Sequence, residues 1–241
     1  MLILIAFLLA VAPAWGMDPD ELEKLLAGAE PHRENRMGLT PPVFTAAERK
    51  KASDGQIITG TSKDGAVYGY GIVHAPIANL WSALNDETRQ AQYTAVSYSE
   101  IVKGEACKPG RHIFQYLEIG VMFVSDRWWI GVPKANDTIM RDSGGSVREL
   151  TFKSSVDPAE ITSRAAVAYR DAAVPIGYSK GAWFLVALDS RNTWVEYHVY
   201  SDPGSGIPTG LSNRLAAGGV RDNFKAMAKF ANEGNPSCPI R

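Results

Sequence analysis

The sequence predicts an α+β fold in which a curved antiparallel β-sheet wraps around one long C-terminal α-helix. The first observation is the order of the elements: two strands, a short helix, several strands joined by turns, and a long final helix. The second is the last quarter of the chain, where a strand at 193–201 enters a Pro/Gly turn that leads into a helical pattern. A sheet curved around that helix buries the apolar faces of both.

The turn before the last helix consists of residues that end a strand. Pro203, Gly204 and Gly206 cannot continue it, and Pro208 suits a first helical position, where its missing N–H costs nothing. Apolar residues then recur close to helical spacing up to about residue 232. They are Leu211, Leu215, Val220, Phe224, Met227, Ala228 and Phe230.

Local patterns predict the other elements. Helices are expected at 17–30, 45–52 and 76–86, the last with Ile77, Leu80, Trp81 and Leu84 on one face. Residues 158–178 favour a helix, and a strand at 166–169 stays open. The predicted strands are 57–62, 66–73, 95–103, 111–119, 122–132, 147–155, 181–188 and 193–201.

The first 16 residues form an apolar run that ends in small residues around Ala12 and Ala14. The run is shorter than the ~20 residues of a membrane span and is typical of a secretory signal peptide. No Lys or Arg precedes it, which departs from the usual pattern, and an uncleaved N-terminal anchor is the alternative. We predict that residues 1–16 are a signal peptide and that the protein is exported, to the periplasm or outside the cell.

The composition is that of a globular protein. Apolar residues make up 45% and charged residues 21% of the 241-residue chain, which fits one large domain. The formal net charge of −1 argues against a nucleic-acid partner, because nucleic-acid binders carry a basic excess. Cys107 and Cys238 have no redox or zinc-motif spacing; an exported chain permits a disulfide between them, and two free thiols are the alternative.

Three motifs, in order, resemble those of StAR-related lipid transfer (START) domains. Tyr70–Asp86 is similar to the family's strand-to-helix entry, although Gln92-Tyr93 stands where the family often has Trp-Asp. Val124-Ser125-Asp126-Arg127-Trp128-Trp129 is similar to its Ser-Asn-Arg-Asp strand, with Trp128 in place of the final Asp. The third motif, Asp202 to Phe224, contains the Asp-Pro-Gly and Ile-Pro signature ahead of the closing helix and is the most specific.

The resemblance implies the helix-grip architecture with an internal apolar cavity, in a bacterial-type exported member. It implies binding and transport of a hydrophobic small molecule, a lipid of the sterol or phospholipid class. The chain then divides into the signal peptide, an N-terminal helical and linker segment at 17–54, a START-like lipid-binding domain at 55–232 and a tail at 233–241. The expected partners are this ligand and, transiently, a membrane; we expect a monomer.

Arg127 is the first candidate ligand-binding residue, because it stands within the apolar run 121–130 and must find an anion or acceptor if buried. In START domains the matching Arg can contact a ligand's polar end; a salt bridge with Glu118 or Asp126 is the alternative. Strand alternation places Trp129 on the same face. The other candidates are Trp183 (with Leu185 on the same strand), Tyr197, Leu211, Leu215 and Phe224, for which plain core packing is the alternative.

An enzyme on the same fold, a cyclase or hydrolase, is the second hypothesis, with Glu118 as a cavity acid beside Arg127. The sequence shows no nucleophile elbow and no phosphate loop, and its four histidines have no metal-ligand spacing. Glu118 and Glu196 more simply occupy solvated strand faces or ion pairs. We therefore predict no catalytic residue, no metal and no cofactor, and an enzyme is the less favoured reading.

Overall fold

A computed structural model describes residues 17–33, 37–155, 157–202, 204 and 209–239, and of 209–218 only the backbone. The predicted signal peptide at 1–16 and most of the turn at 203–208 lie outside the described residues. Nine strands form one sheet, in the spatial order β1-β2-β9-β8-β6-β5-β4-β3. Along this order all neighbours are antiparallel, and the short β7 pairs with β5 in parallel.

The strands are β1 (Ile58–Thr61), β2 (Val67–Val73), β3 (Val96–Lys103), β4 (His112–Leu117), β5 (Arg127–Ala135), β6 (Val147–Ser155), β7 (Val174–Pro175), β8 (Tyr178–Ala187) and β9 (Thr193–Asp202). The helices are α1 (Pro19–Ala29), α2 (Ala46–Ser53), α3 (Ile77–Asn85), α4 (Glu87–Gln90), α5 (Asp137–Asp142), α6 (Arg164–Asp171) and α7 (Thr209–Glu233). This arrangement confirms the predicted α+β fold, a curved antiparallel sheet with a long C-terminal helix. No helix within the described ranges has both the length and the apolar composition needed to cross a membrane.

The concave face of the sheet packs against α7 and α3. Val220, Phe224 and Phe230 of α7 are buried with Leu80 and Leu84 of α3 in one core cluster. The helix approaches β2 where this strand has a glycine: a Cβ atom at Gly69 would overlap Val220 Cγ1. The absence of a side chain at this position therefore sets how closely α7 lies on the sheet.

The convex face is covered by the N-terminal segment, which the sequence predicts as helices and a linker. Leu22 of α1 is fully buried against the sheet. The Arg33 Nε group donates to both carboxylate oxygens of Glu196 on β9, each at 3.0 Å, and its guanidinium lies over the Phe44 ring. Glu196 also accepts from Trp194 Nε1 at 3.0 Å, so this carboxylate fastens the N-terminal arm to the outer face.

The structure differs from the predicted strand at 122–132. Strand β5 begins at Arg127, and residues 121–126 form a loop in which Phe123 has a φ of +66°. The apolar run predicted a buried strand here, but the side chains of Met122 and Phe123 are exposed rather than packed. Residues 158–178 contain helix α6, so 166–169 is helical as favoured, followed by β7.

A disulfide joins Cys107, in the β3–β4 connection, to Cys238, after α7. The two Cα atoms are 5.3 Å apart, which fits disulfide geometry, and no free cysteine remains in the described part of the chain. The sequence could not distinguish this disulfide from two free thiols. The two cysteines are 131 positions apart in the chain, and only the fold brings them together. Further contacts hold the same tail: Ser237 N donates to Asp86 Oδ2 at 2.6 Å, and Arg89 donates to Gly234 O at 2.6 Å.

We expect that replacing both cysteines with serine destabilises the fold by about 2–5 kcal/mol, because the bond closes a long loop in the unfolded chain. The melting temperature should fall by on the order of 10 °C. Urea unfolding of C107S/C238S beside the oxidised protein measures this loss, and reduced wild type should reproduce it. Equal stability with and without reductant would contradict the prediction.

Candidate ligand cavity

A cavity of about 410 Å³ lies between the concave face of the sheet and α7. Most of its wall is apolar, and its size falls in the range of small-molecule sites, ~300–1,000 Å³. Strands β4, β5, β6, β8 and β9 supply most of the wall. The α7 residues among those that line it are Gly219, Val220, Asn223 and Met227.

Four of the predicted site residues line this cavity: Arg127, Trp129, Trp183 and Tyr197. Alternation along β5 separates the neighbouring tryptophans, since Trp129 faces the cavity whereas Trp128 is buried with Phe114 in another cluster. The rings of Trp183 and Tyr197 stack with centroids 4.1 Å apart. Burial raises the pKa of the Tyr197 hydroxyl, so this wall group stays protonated at neutral pH.

The remaining predicted site residues have different outcomes. Leu211 and Leu215 belong to α7, but their side chains lie outside the described residues. Phe224 is not among the residues that line the cavity; its ring packs 5.8 Å from Trp183 in the adjoining core and approaches Gly69. Leu185 is likewise buried in the same core cluster as Phe224 and is not among the residues that line the cavity.

Arg127 is the cationic group at one end of the cavity, where β5 begins. Only 2% of the residue is exposed, and Nη1 donates to the main-chain oxygens of Ser125 and Asp126. Burial lowers the pKa of the guanidinium, and the nearby Asp126 charge opposes this effect. A guanidinium in a wall of this kind is suited to an anionic or carbonyl group of a ligand.

Hydroxyl groups line the cavity towards the same end of the sheet. Ser179 Oγ lies 2.7 Å from Ser201 Oγ, and Ser179 N donates to Ser154 Oγ at 2.7 Å. Ser201 is also exposed, so the cavity reaches solvent here. The cavity therefore has a polar, accessible end and a wall of large apolar side chains.

A second polar group, which the sequence did not reveal, stands on α4. Glu87 lines the cavity and is 7% exposed, and its oxygens accept from Arg111 Nε at 3.1 and 2.9 Å and from Arg111 Nη2. Arg111 Nη2 also donates to Asn85 Oδ1 at 2.9 Å. Burial raises the pKa of Glu87, and the bonds to Arg111 oppose this.

Gln115 is another polar wall residue that sequence reasoning missed. Its Oε1 accepts from Trp129 Nε1 at 2.9 Å, which fixes both side chains in the wall. Strand alternation in 111–119 is the signal that indicates an inward polar residue here. Glu87 had no such signal, because its partner Arg111 is 24 residues away and meets it only through the fold.

The acids considered for enzymatic chemistry lie elsewhere. Glu118 is exposed and is not among the cavity residues, and Glu196 binds Arg33 on the convex face. His112 Nδ1 lies 2.6 Å from Glu160 Oε2, a structural pairing outside the cavity. Among the described residues, no group of three or more His, Cys, Asp or Glu side chains could hold a metal ion.

Solved structures of START proteins share this architecture. A STAR-related lipid transfer protein from Xanthomonas axonopodis matches with a TM-score of 0.57 and 18% identity, over 73% of this chain and 93% of that one. Human StAR-related lipid transfer protein 5 matches with a TM-score of 0.55 and 11% identity, over 90% and 99% of the two chains. Human STARD10 matches with a TM-score of 0.54 and 12% identity, over 78% and 82%.

The chain therefore has the helix-grip fold of START domains, which confirms the fold expected from the three motifs. No protein-family model matches the sequence, and no curated protein matches it. At these identities the likeness establishes the fold and does not establish a function.

Proposed function

We propose that this protein binds a hydrophobic small molecule, a lipid of the sterol or phospholipid class, in the cavity and carries it unchanged. The observation that supports this most is the cavity of about 410 Å³, walled mainly by apolar side chains, with Arg127 at its accessible end. Removing a lipid chain from water contributes ~0.8 kcal/mol per CH₂ group, so ten methylenes contribute about 8 kcal/mol. This is enough to hold a ligand without chemistry.

The names of the similar structures agree with this proposal, since the Xanthomonas protein and one human protein are described as lipid transfer proteins. The enzyme hypothesis rests on Glu118 as a cavity acid beside Arg127. Of the carboxylates considered, Glu118 lies outside the cavity and Glu87 is held by Arg111. The particular cyclase or hydrolase site built on Glu118 is therefore absent from the described cavity wall, and we keep carriage as the proposal.

A vesicle-to-vesicle transfer assay tests the proposal. Fluorescent lipids of the sterol and phospholipid classes are placed in donor vesicles, and their arrival in acceptor vesicles is followed with and without protein. Faster transfer, with the lipid recovered unchanged by mass spectrometry, is the expected result. No acceleration for either class, or a chemically altered lipid, would contradict it.

Arg127→Leu is expected to weaken recognition of a lipid's polar end and to leave burial of its hydrocarbon chain largely unchanged. Affinity for a lipid with an anionic group should fall at least about tenfold, the effect of losing about 1.4 kcal/mol, because the guanidinium is the cavity's buried cation. Affinity for an uncharged lipid of the same chain length should change less than about threefold. Ligand titrations and thermal melts on Arg127→Leu and Arg127→Lys measure this; equal losses for both lipids would assign Arg127 a structural role.

We also propose that the protein is exported, to the periplasm or outside the cell, and acts as a monomer that contacts membranes transiently. The apolar run at 1–16 and the Cys107–Cys238 disulfide support export, because disulfides persist in oxidising compartments. The formal net charge of −1 gives no basis for a nucleic-acid partner. N-terminal sequencing from the native host tests export, and an intact Met1 in a cytosolic fraction would contradict it.

A further inference from the structure

The segment that follows α7, residues 234–239, packs on the junction between α3 and α4. We call this segment the strap; none of its residues belongs to a helix or a strand. Hydrogen bonds join it to the junction: Ser82 Oγ donates to Cys238 O, Arg89 Nη1 to Asn235 O at 2.7 Å, Arg89 Nη2 to Gly234 O at 2.6 Å, and Ser237 N to Asp86 Oδ2 at 2.6 Å. The strap therefore covers this junction.

The same junction forms part of the cavity wall. Leu84, Glu87 and Gln90 line the cavity, and they alternate along the chain with the residues that bind the strap. All residues at 81–87 are buried. A single layer of chain therefore has the strap on one side and the space for the ligand on the other.

This part of the wall lies at the end of the cavity away from Arg127. Arg111, which bonds to Glu87, directly precedes β4, whereas Arg127 pairs with Leu117 at the other end of that strand. At ~3.3 Å per residue, the six residues of β4 span about 20 Å. The strap is therefore remote from the polar, accessible end of the cavity.

The disulfide fixes the far end of the strap. Cys238 is buried, and its Sγ lies 3.0 Å from Asn85 O in the junction. Its partner Cys107 has a φ of +62°, which residues other than glycine rarely adopt and which persists only when the surrounding structure maintains it. The hydrogen bonds to the strap contribute modestly, because water competes for the same groups. The covalent bond is therefore the main tie at this end.

The Arg111 side chain links the loop that carries Cys107 to the cavity wall. Its Nη1 donates to Lys108 O at 2.9 Å, one residue from Cys107, and its Nη2 donates to Asn85 Oδ1 at 2.9 Å. Its Nε donates to both carboxylate oxygens of Glu87. A displacement of this loop therefore moves the group that positions a carboxylate of the wall.

We propose that the Cys107–Cys238 disulfide is a redox-sensitive latch on the cavity wall: its reduction frees the strap, opens the wall at α3–α4 and speeds release of the bound lipid. This inference rests on the proposed lipid carriage and adds a means of controlling release. While the bond is closed, α7 holds one end of the strap and the disulfide holds the other. After reduction, α7 and single hydrogen bonds hold it, so local opening costs less free energy.

A dithiol reductant can reach this bond from solvent. Cys107 is half-buried, and its neighbours at 103–106 and 108–110 are exposed. A thiolate of the reductant attacks Cys107 Sγ to form a mixed disulfide, and Cys238 leaves as a thiolate and takes up a proton. The second thiol of the reductant then displaces Cys107, which is protonated in turn. The protein gains two electrons and two protons, and the reductant becomes a cyclic disulfide.

Hydrogen exchange on the ligand-free full chain tests whether the wall opens. Amides at 86–93 and 234–238 should exchange at least about tenfold faster in dithiothreitol-treated wild type and in C107S/C238S than in the oxidised protein. Leu22→Ala is the matched control, because it lowers global stability by a cavity in the core on the convex face, away from the latch. Exchange at 86–93 in this variant should match that of oxidised wild type.

Lipid release tests the consequence for the ligand. Proteins loaded with dehydroergosterol, a fluorescent sterol, or with a fluorescent phosphatidylcholine are mixed with excess methyl-β-cyclodextrin below the melting temperature of every variant. The dissociation rate should be at least about tenfold higher for reduced wild type and C107S/C238S than for the oxidised protein. Reoxidation of the wild type should restore slow release, and Leu22→Ala should release lipid at the rate of wild type.

The two measurements separate this proposal from lipid carriage. Faster exchange at 86–93 on reduction, with no lipid bound in either state, would refute carriage and still support an opening wall. Bound lipid that leaves at the same rate from oxidised and reduced protein would overturn the latch and leave carriage intact. Unchanged exchange at 86–93, global unfolding on reduction, or equally fast release from Leu22→Ala would also overturn it, because the disulfide would then have a purely structural role.

Discussion

Gly131→Leu is expected to abolish ligand binding while leaving the protein folded. Gly131 lies in the middle of β5 and lines the cavity. A Cβ atom there would meet Gln115 Oε1 at 3.6 Å, Ile113 O at 3.9 Å and Trp129 Nε1 at 4.0 Å, which are ordinary contacts. The branched end of the leucine side chain therefore extends into the space that we assign to the ligand, and affinity should fall at least about a hundredfold, equivalent to about 2.8 kcal/mol.

Gly28→Leu is the matched control for this substitution. Gly28 is exposed on α1, and a Cβ atom there meets nothing within 4 Å. This variant should bind lipid with the affinity of wild type. Fluorescence titration with a soluble lipid analogue, together with thermal melts, measures both variants. Full binding by a folded Gly131→Leu protein would show that the ligand lies elsewhere.

Glu87→Ala is expected to destabilise the protein by about 3–5 kcal/mol, because it leaves the buried Arg111 guanidinium without its carboxylate. The double variant E87L/R111L should recover much of this loss, since replacing both members of a buried pair with apolar groups costs little. Urea unfolding at neutral pH measures the free energies. Glu87 also lines the cavity, so lipid affinity is measured together with stability.

Asp171→Ala provides the contrast for the buried pair. Asp171 pairs with Arg170 at 2.7 Å, and its side chain is 61% exposed, so its loss should cost less than about 1 kcal/mol. Similar small costs for Glu87→Ala and Asp171→Ala would mean that Arg111 is adequately solvated without its partner. That result would contradict the account of a buried Glu87–Arg111 pair at α4.

The features predictable from the sequence are those that local patterns determine. Periodicity and turn residues predict the order of strands and helices along the chain and the long helix α7, because burial of one face repeats at a fixed spacing. Alternation places Trp129 on the cavity face together with Arg127, as the structure has them. These predictions succeed because each depends on neighbours in the chain.

The features that the sequence did not reveal depend on distant residues or on exposure. Cys107 and Cys238 meet across 131 positions, and Glu87 and Arg111 across 24, so no local pattern indicates either pair. The loop at 121–126 has the composition of a strand, but its apolar side chains face solvent. An apolar run predicts burial on average, and the exposed side chains of Met122 and Phe123 are an exception to it.

Phe224 illustrates a third limit. Helical spacing correctly places it on the apolar face of α7, but spacing cannot show whether that face meets a strand or a cavity. Gly69 decides the outcome, because the missing side chain on β2 lets Phe224 and Val220 approach the sheet. The cavity begins beside this contact, where Val220 and Met227 also line it.

Native mass spectrometry of the purified protein after exposure to lipid vesicles tests the central claim most directly. The account predicts one lipid mass bound per chain, released unchanged on denaturation and absent from Gly131→Leu. A folded wild-type chain that carries no added mass after exposure to sterol- and phospholipid-containing vesicles would contradict lipid carriage, as would a released molecule that differs from the lipid supplied.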